Sequence, residues 1–415
     1  MLCCSATAAA FRPRPREGAP GLRIVVHDYS GHPFQVQLSR ELARRGHQVH
    51  HLFSLDFQTP KGRLQLQPGD PASLQIEGLT LGERFLKESF FRRRLQEERF
   101  GRLVGDRIEA LRPDVVLSSN APLDAQRGIL RSTQCVGAGF VFWIQDIYSE
   151  AMSRILTRQF GLPGHAVGAV YKQIEYGLLK RSQQIVAISE DFTPILVAHG
   201  VAPDRISVVE NWAPLDEIAY AGPKPTVGPG DALTFVYSGT LGYKHNPETL
   251  ERLAESLPIE LRIYSEGRAA DELRTRARSR GLTNLTVQPW VPYECLSQML
   301  GAADVLLAVI EADAGVFSVP SKVLTYLCAG RPILASIPSD NLAARLVTRE
   351  GAGIVVAPDD GAAFIDGARR FVESAPLRSA AGAAGRAYAE QAFDIAVLAD
   401  RFEGVLELAA SKPGS

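Results

Sequence analysis

The stretch RIVVHDYSGHPFQVQLSRELARRGHQVHHLF, residues 23–53, decides the fold. Its hydrophobic pattern predicts a buried strand, a glycine turn, a helix and a second strand, over residues 23–29, 30–33, 34–45 and 47–53. A strand–helix–strand unit has a right-handed crossover and builds a parallel sheet. Ligands of such sheets bind at the carboxyl ends of the strands, where Gly31 lies. Because glycine has no Cβ, Gly31 either lets the backbone approach a ligand or simply forms a turn.

Composition excludes several classes of protein. With 415 residues, 46% of them hydrophobic and 22% charged, the chain is typical of a soluble globular protein with two or three domains. A formal net charge of −1 argues against nucleic acid as a partner. The five cysteines have no C-x-x-C spacing, which indicates neither a disulfide framework nor a zinc site and fits a reducing cytoplasm. The longest uncharged apolar run, residues 132–145, is shorter than the roughly 20 residues that span a bilayer.

The strand and helix alternation occurs twice. A second series of strands is predicted at residues 233–239, 260–264, 285–290, 305–310, 333–337 and 354–357. We therefore predict an α/β protein with two Rossmann-like, doubly wound parallel-sheet domains that face each other across a cleft. Residues 1–21 are predicted to be a disordered N-terminal extension and residues 22–213 the first domain. A Pro/Gly-rich linker at 214–230 leads to the second domain at 231–385, and a C-terminal helix at 386–415 returns to the first domain.

Polar residues cluster where two strands of the first half are predicted to end. Asn120 ends the strand at 113–120, and the strand predicted over 140–150 runs into Gln145, Asp146 and Tyr148. At the rim of a parallel sheet, Asp146 could orient or deprotonate a hydroxyl group. The alternative is that it caps the next helix.

The stretch SVPSKVLTYLCAGRPILAS, residues 318–336, predicts a loop, a helix, a turn and a strand. Pro320 suits the first helical turn, where Ser318 or Ser321 could provide the cap, and Gly330 ends the helix. Lys322 adds a positive charge where the helix already presents unpaired N–H groups, which suits a phosphate or diphosphate. The alternative is a solvent-exposed lysine on an ordinary helix.

A second lysine is expected at the same edge. The loop GTLGYKH, residues 239–245, follows the first strand of the second half and carries Lys244. Positive groups stabilise the charge that develops on a nucleoside diphosphate as its bond to a sugar breaks. Because the sequence contains no D-x-D, we expect Lys244 and Lys322 to act without carboxylate-held magnesium.

A family resemblance is carried by short motifs spread along the chain, namely ELARRGH at 41–47, PDVV at 113–116, AIS at 187–189, YSGTLG at 237–242, NLTV at 284–287, ADV at 303–305 and YLCAGRP at 326–332. With them the chain resembles a GT-B glycosyltransferase of the retaining family 4 kind, similar to bacterial sugar transferases of polysaccharide or O-antigen assembly. The chain departs from that family's Glu-x7-Glu motif, since the two positions are Phe317 and Thr325. It resembles instead a branch with a Pro-Ser-Lys loop, in which Lys322 contacts the diphosphate.

The resemblance implies three groups of site residues. The catalytic group is Asp146, Lys244 and Lys322, and the acceptor side is Asn120, Gln145 and Tyr148. The donor-binding group is Gly31, Gly239, Thr240, Gly242, Glu266, Gly267, Val291, Ser318, Val319, Pro320, Ser321 and Thr325. No metal or other cofactor is expected.

The implied activity is a cytoplasmic, metal-independent transfer of a hexose or N-acetylhexosamine from a UDP or GDP sugar to a hydroxyl acceptor, with retention. The acceptor would be a saccharide or a lipid-linked saccharide. The alternatives are a nucleotide-sugar 2-epimerase-like enzyme and a non-catalytic GT-B binding subunit. The basic and aromatic run at residues 85–95 favours either peripheral contact with the inner face of a membrane or a core-facing stripe with a solvated basic side.

Overall fold

Two fully parallel sheets form the framework of the protein. A computed structural model describes residues 21–57, 59, 61–83, 90–119, 121–220, 222, 224, 232–241, 247–310 and 320–411. The first sheet has seven strands, namely β1 Arg23–Asp28, β2 Gln48–Ser54, β3 Leu74–Leu79, β4 Val115–Ser119, β5 Gly139–Ile144, β6 Gln184–Ala187 and β7 Ile206–Val208. The second has six strands, namely β8 Thr234–Ser238, β9 Glu260–Tyr264, β10 Leu285–Gln288, β11 Val305–Val309, β12 Ile333–Ser336 and β13 Gly353–Val356.

Helices connect the strands, as parallel pairing requires. In the first half they are α1 Pro33–Arg44, α2 Phe90–Leu111, α3 Leu123–Cys135, α4 Tyr148–Phe160, α5 Leu162–Arg181 and α6 Phe192–Ala198. The later helices are α7 Pro247–Ser256, α8 Arg268–Ser279, α9 Tyr293–Gly301, α10 Ser321–Ala329, α11 Leu342–Arg349, α12 Gly361–Glu373, α13 Ala375–Ala392 and α14 Ile395–Ala410. None of the helices in the described part of the chain is both long enough and apolar enough to cross a membrane.

Strand order reverses once in each sheet. The orders are β3-β2-β1-β4-β5-β6-β7 and β10-β9-β8-β11-β12-β13, so the reversals lie between β1 and β4 and between β8 and β11. In the second sheet the register pairs only Phe235 with Val305 and Val236 with Leu306, and the two strands part before β8 ends at Ser238. A crevice at such a reversal is the usual ligand site of an open parallel sheet. The predicted α/β class with two Rossmann-like sheets is confirmed.

Several elements of the first half were predicted wrongly or missed. β3 and α3 were not predicted, and the strand predicted over 140–150 ends at Ile144. The chain turns into α4 there because the buried carboxylate of Glu175 accepts hydrogen bonds from the backbone N–H groups of Tyr148 and Ser149, at 3.1 and 2.9 Å. Of the helix predicted over 83–111, the structure describes α2 from Phe90, and residues 84–89 lie outside the described part.

The C-terminal region contains two helices where the sequence predicted one. α13 continues through residue 385, the predicted end of the second domain. Gly382 lets this helix pack closely on the turn after α10, since a Cβ on Gly382 would lie 2.3 Å from the Gly330 carbonyl oxygen. The break follows at residues 393–394, where Asp394 caps α14 by accepting from the backbone N–H of Ala396 at 2.8 Å. α14 packs against β4, β5 and β6 of the first sheet. Its Phe402 ring lies 4.6 Å from the ring of Trp143 between centroids.

Candidate functional site

Lys322 and Gly239 meet at the carboxyl edge of the second sheet. The Lys322 Nζ atom lies 3.7 Å from the centroid of the buried Tyr237 ring. A Cβ on Gly239 would lie 3.2 Å from the same Nζ, and Gly239 has a φ of 129°, which a side chain would strain. The ammonium group therefore lies between an aromatic face and a backbone that has no side chain.

The start of α10 differs by one position from the prediction. Pro320 is the N-cap residue rather than part of the first turn, and its carbonyl oxygen accepts from the Val323 N–H at 3.0 Å. Ser321 is the first helical residue and Lys322 the second, and the first turn contains no acidic residue. The positive end of the helix dipole and the lysine charge thus act in the same direction. Gly330 ends the helix in the left-handed conformation, with a φ of 61°.

Tyr326 joins α10 to the end of β8, and the sequence analysis did not assign it a role. Its buried hydroxyl accepts from the Ser238 N–H at 3.0 Å and donates to the Ser238 carbonyl oxygen at 3.2 Å. These bonds replace the strand-to-strand hydrogen bonds that β11 no longer provides to β8 at that point. The signal in the sequence was its spacing, since Tyr326 lies four residues after Lys322 and therefore on the same side of the helix.

Other predicted donor-binding residues lie along the same edge. Glu266 follows β9 and accepts from the Trp290 N–H at 3.2 Å, and Gly267, with a φ of 98°, precedes α8. Val291 follows β10 and is half-buried.

The loop after β8 is held by its neighbours. The carbonyl oxygen of Thr240 accepts from the Tyr237 hydroxyl at 2.8 Å, and the Leu241 N–H donates to Ser265 Oγ at 2.9 Å. Thr325 lies one turn after Lys322. Gly242, Lys244, Ser318 and Val319 lie outside the described residues, so the convergence of the two lysines stays a prediction.

The first half contains a cavity of about 330 Å³ at the ends of β4 and β5. Its walls include the predicted residues Gln145, Asp146 and Tyr148, together with other side chains, among them Tyr29, Phe57, Arg93, Glu97, Leu123, Phe142, Trp143 and Glu175. The Tyr148 hydroxyl accepts from Arg93 Nη2 at 3.3 Å, and the Arg93 Nε atom donates to Glu97 at 2.7 Å. Asn120 lies outside the described residues. The cavity thus combines aromatic walls with hydrogen-bonding and charged groups.

Glu175 is a cavity residue that the sequence analysis missed. Burial raises the pKa of its carboxyl group to about 7, although the hydrogen bonds from Tyr148 and Ser149 at the start of α4 lower it. A carboxyl group that titrates near neutral pH in a cavity is suited to exchanging a proton. No local pattern in the sequence signals this role, because the backbone groups that Glu175 binds, those of Tyr148 and Ser149, lie 27 and 26 positions earlier in the chain.

The loop at Gly31 is explained by packing. Gly31 has a φ of 76°, and a Cβ on it would lie 2.7 Å from Leu64 Cδ1. Asp28, another residue without a predicted role, accepts from the backbone N–H groups of Ser30, at 3.1 Å, and of His32. Burial of Asp28 acts to raise its pKa, but the hydrogen bonds and charge of His32 outweigh it and the pKa is lowered. A contact between Gly31 and the donor stays a prediction.

Comparisons with known proteins agree with this architecture. Residues 31–212 match the family model of the Glycosyl transferase 4-like domain, and residues 234–374 match that of the Glycosyl transferases group 1. WcaI of Escherichia coli K12, assigned by name to colanic acid biosynthesis as a glycosyl transferase, is 24% identical over 298 residues, which are 68% of this chain and 71% of WcaI.

Solved structures show the same fold. Sucrose-phosphate synthase from Thermosynechococcus elongatus superposes with a TM-score of 0.68 at 13% identity, over 93% of this chain and 98% of that one. Anabaena HepE, solved in complex with UDP and glucose, superposes with a TM-score of 0.67 at 14% identity, over 93% and 99%. Since the two family matches together span well over half of the chain and the sheets superpose on those of such enzymes, the protein belongs to the GT-B glycosyltransferases.

Proposed function

We propose that the protein transfers a hexose or N-acetylhexosamine from a UDP or GDP sugar to a hydroxyl acceptor, with retention and without a bound metal. The observation that carries the proposal is the position of Lys322, in the first turn of α10 and against the open backbone of Gly239. A diphosphate placed there would receive the helix N–H groups and the ammonium charge together. These groups stabilise the negative charge that develops on the leaving phosphate.

The acceptor side of the proposal rests on the cavity of the first half. Aromatic walls suit the apolar faces of a sugar ring, and Arg93, Tyr148 and Asp146 offer donors and acceptors for its hydroxyl groups. In the proposed reaction the acceptor oxygen bonds to the anomeric carbon as the bond from that carbon to the diphosphate breaks. The departing phosphate takes the acceptor proton, so no enzyme nucleophile is needed, and Asp146 orients the hydroxyl.

Relatives narrow the substrates that we propose. HepE is described in complex with UDP and glucose, and WcaI is named for the assembly of a polysaccharide. We therefore put a UDP sugar first as the donor and a saccharide or lipid-linked saccharide first as the acceptor. Work on lipid-linked saccharides would take place on the cytoplasmic side of a membrane.

Thermal unfolding with UDP, GDP, ADP and their sugar conjugates, with magnesium and with a chelator, tests the donor site. A ligand at about 100 times its dissociation constant adds about 2.7 kcal/mol to the free energy of unfolding. We expect a shift with one diphosphate class, unchanged by the chelator and lost in Lys322→Met. Lys180→Met, at an exposed position on α5, should keep the shift. A shift that needs magnesium, or that survives in Lys322→Met, would contradict the proposed site.

The missing Glu-x7-Glu motif favours a second candidate, a GT-B subunit that binds a donor without turnover, because Phe317 and Thr325 provide no carboxylate. Donor binding with no product over a wide panel of acceptors would support it. A 2-epimerase-like enzyme would instead form a new sugar nucleotide from the donor alone.

A further inference from the structure

The wall of the first-half cavity has more acidic than basic side chains. Among the wall residues that the structure describes, the charged groups are one guanidinium and three carboxyl groups, those of Arg93, Glu97, Asp146 and Glu175. Even with Glu175 protonated, as its pKa of about 7 allows, two carboxylates stand against one guanidinium. A cleft lined mainly by one sign of charge repels ligands of that sign. The described wall therefore disfavours an anionic ligand.

The one guanidinium of that wall already has a carboxylate partner. The Arg93 Nε atom donates to Glu97 at 2.7 Å, one helical turn further along α2, and Nη2 donates to the Tyr148 hydroxyl at 3.3 Å. Glu97 is 7% exposed. Apolar side chains of similar volume often stabilise a protein as well as a buried ion pair does. Stability therefore does not account for this pair, and its place in the cavity wall indicates a role in binding.

Hydrogen-bonding chemistry separates neutral from acidic sugars at this pair. A hydroxyl group both donates and accepts, so one hydroxyl can accept from Arg93 while it donates to Glu97. A sugar carboxylate only accepts, so in the same place it would face the Glu97 carboxylate with no proton between them. Burying a charge without a partner is costly. The pair thus suits a ligand whose polar groups are hydroxyls.

The size of the cavity limits what it encloses. Its volume of about 330 Å³ is close to the lower limit of about 300 Å³ for small-ligand sites. The aromatic wall includes Tyr29 and Phe57, whose rings lie 5.0 Å apart between centroids. A single sugar ring has both the apolar faces and the hydroxyl rim that such a wall accommodates.

We propose that the cavity encloses a neutral sugar ring of the acceptor, and that Glu97 excludes acidic sugars such as uronic acids by holding Arg93. Without Glu97, the guanidinium would offer its planar pair of N–H groups to a sugar carboxylate, which is the geometry that arginine favours. Glu97 is then a specificity-determining residue. Because the ring belongs to the acceptor of the proposed reaction, this assignment rests on the proposed function.

Titration of the full chain with matched sugars, in the absence of any donor, tests the assignment. The probes are the methyl glycosides of glucose and glucuronic acid and of galactose and galacturonic acid, at about pH 8, above the pKa of Glu175. Ligand-observed NMR measures their dissociation constants. We expect the wild type to bind the neutral member of at least one pair about tenfold or more tightly than the acidic member. Glu97→Gln should bind the acidic member about tenfold or more tightly than the wild type does, because Arg93 then has no carboxylate partner.

Two further variants separate this effect from a general loss of negative charge. Glu77→Gln removes the carboxylate that pairs with another arginine of α2, Arg107, at 2.6 Å, and neither residue lines the cavity. It should keep the wild-type preference. The double variant Arg93→Met/Glu97→Gln should lose the gain in affinity for uronic acids that Glu97→Gln shows. Unchanged melting temperatures should show that each variant is folded.

Wild-type protein that binds uronic acids as tightly as neutral sugars would overturn the proposal, as would equal gains in Glu97→Gln and Glu77→Gln. Binding of none of the four sugars would also overturn it. The donor site can fail separately, since its test is the thermal shift with a nucleoside diphosphate. A protein that prefers neutral sugars but shows no such shift would refute the donor site alone, and one that shows the shift but does not discriminate between the sugars would refute only the role of Glu97.

Discussion

The Tyr326 hydroxyl is the contact whose removal should be most informative. Tyr326→Phe deletes one oxygen atom and, with it, two hydrogen bonds to the backbone of Ser238, at 3.0 and 3.2 Å. Each is worth about 1 kcal/mol, and the Ser238 N–H and carbonyl groups lose their partner where β8 and β11 part. We therefore expect the free energy of unfolding to fall by about 2 kcal/mol. For a cooperative unit of 150–250 residues this lowers the Tm by about 4–8 °C.

The same substitution should weaken donor binding, although residue 326 need not touch the donor. Lys322 lies one turn before Tyr326 on α10, so loosening the helix at Ser238 loosens the placement of the ammonium group against Gly239. We expect the affinity for the nucleoside diphosphate to fall about tenfold, measured by titration calorimetry, which corresponds to about 1.4 kcal/mol.

The control is Tyr264→Phe at the end of the neighbouring strand β9, because the Tyr264 hydroxyl forms no hydrogen bond with the residues that the structure describes. It should change the Tm by less than about 2 °C. A Tyr326→Phe protein that melts with the control would refute the structural role of the hydroxyl. A protein that melts lower yet binds the diphosphate normally would refute the coupling to Lys322.

Three further substitutions test other parts of the structure. Lys322→Met should lower kcat about 10²–10³-fold in a transfer assay with little change in Tm, and full turnover would remove the lysine from the mechanism. Glu175→Gln should remove the contribution of Glu175 to the pH dependence of stability. The folded pKa of Glu175, about 7, lies above the ordinary 4.5, so the folded state holds the proton to higher pH. The wild type therefore loses about 3 kcal/mol of stability as pH rises from 4.5 to 7. Urea midpoints across that range should fall less in the variant, and equal slopes would show that another group titrates. Gly164→Ala should destabilise the protein by more than about 2 kcal/mol, because the added Cβ meets the Leu156 carbonyl oxygen. Gly177→Ala on the same helix has open space around it and should stabilise the protein by up to about 1 kcal/mol. Equal effects of the two substitutions in thermal unfolding would contradict the close packing at Gly164.

Buried parallel strands were the part of the fold that could be predicted from sequence. The pattern at residues 23–29 predicted β1 to within one residue, because a strand covered on both faces contains a continuous apolar run, here Ile24, Val25 and Val26. The edge strand β3, LQIEGL, escaped because it is half-exposed and contains a glycine, so its pattern resembles that of a loop. The end of β5 was misplaced because Glu175, whose carboxylate binds the N-terminus of α4, lies 27 positions after Tyr148 in the chain.

The candidate site divides in the same way. Lys322 could be identified because a lysine in the first turn of a helix is locally unfavourable and therefore conspicuous. Tyr326 and Glu175 were not identified, because each acts through backbone groups of an element distant in sequence, Ser238 in one case and Tyr148 in the other. The spacing of Tyr326 from Lys322 indicates a shared side of the helix but not the partner of the hydroxyl. Pairings of this kind depend on how elements pack, and no local pattern encodes them.

The return of α14 to the first sheet makes that half of the protein discontinuous in the sequence. Phe402 packs against Trp143 and lies 5.9 Å from Trp212 between ring centroids. Glu403 accepts a hydrogen bond at 2.8 Å from Nε2 of His47, which lies 356 positions earlier in the chain. A chain still on the ribosome therefore has this aromatic cluster uncovered until α14 emerges. Domains usually fold in the order of their synthesis. Here we expect the half that is made first to be completed last, and an isolated fragment that stops before α14 to expose the Trp143 cluster to water.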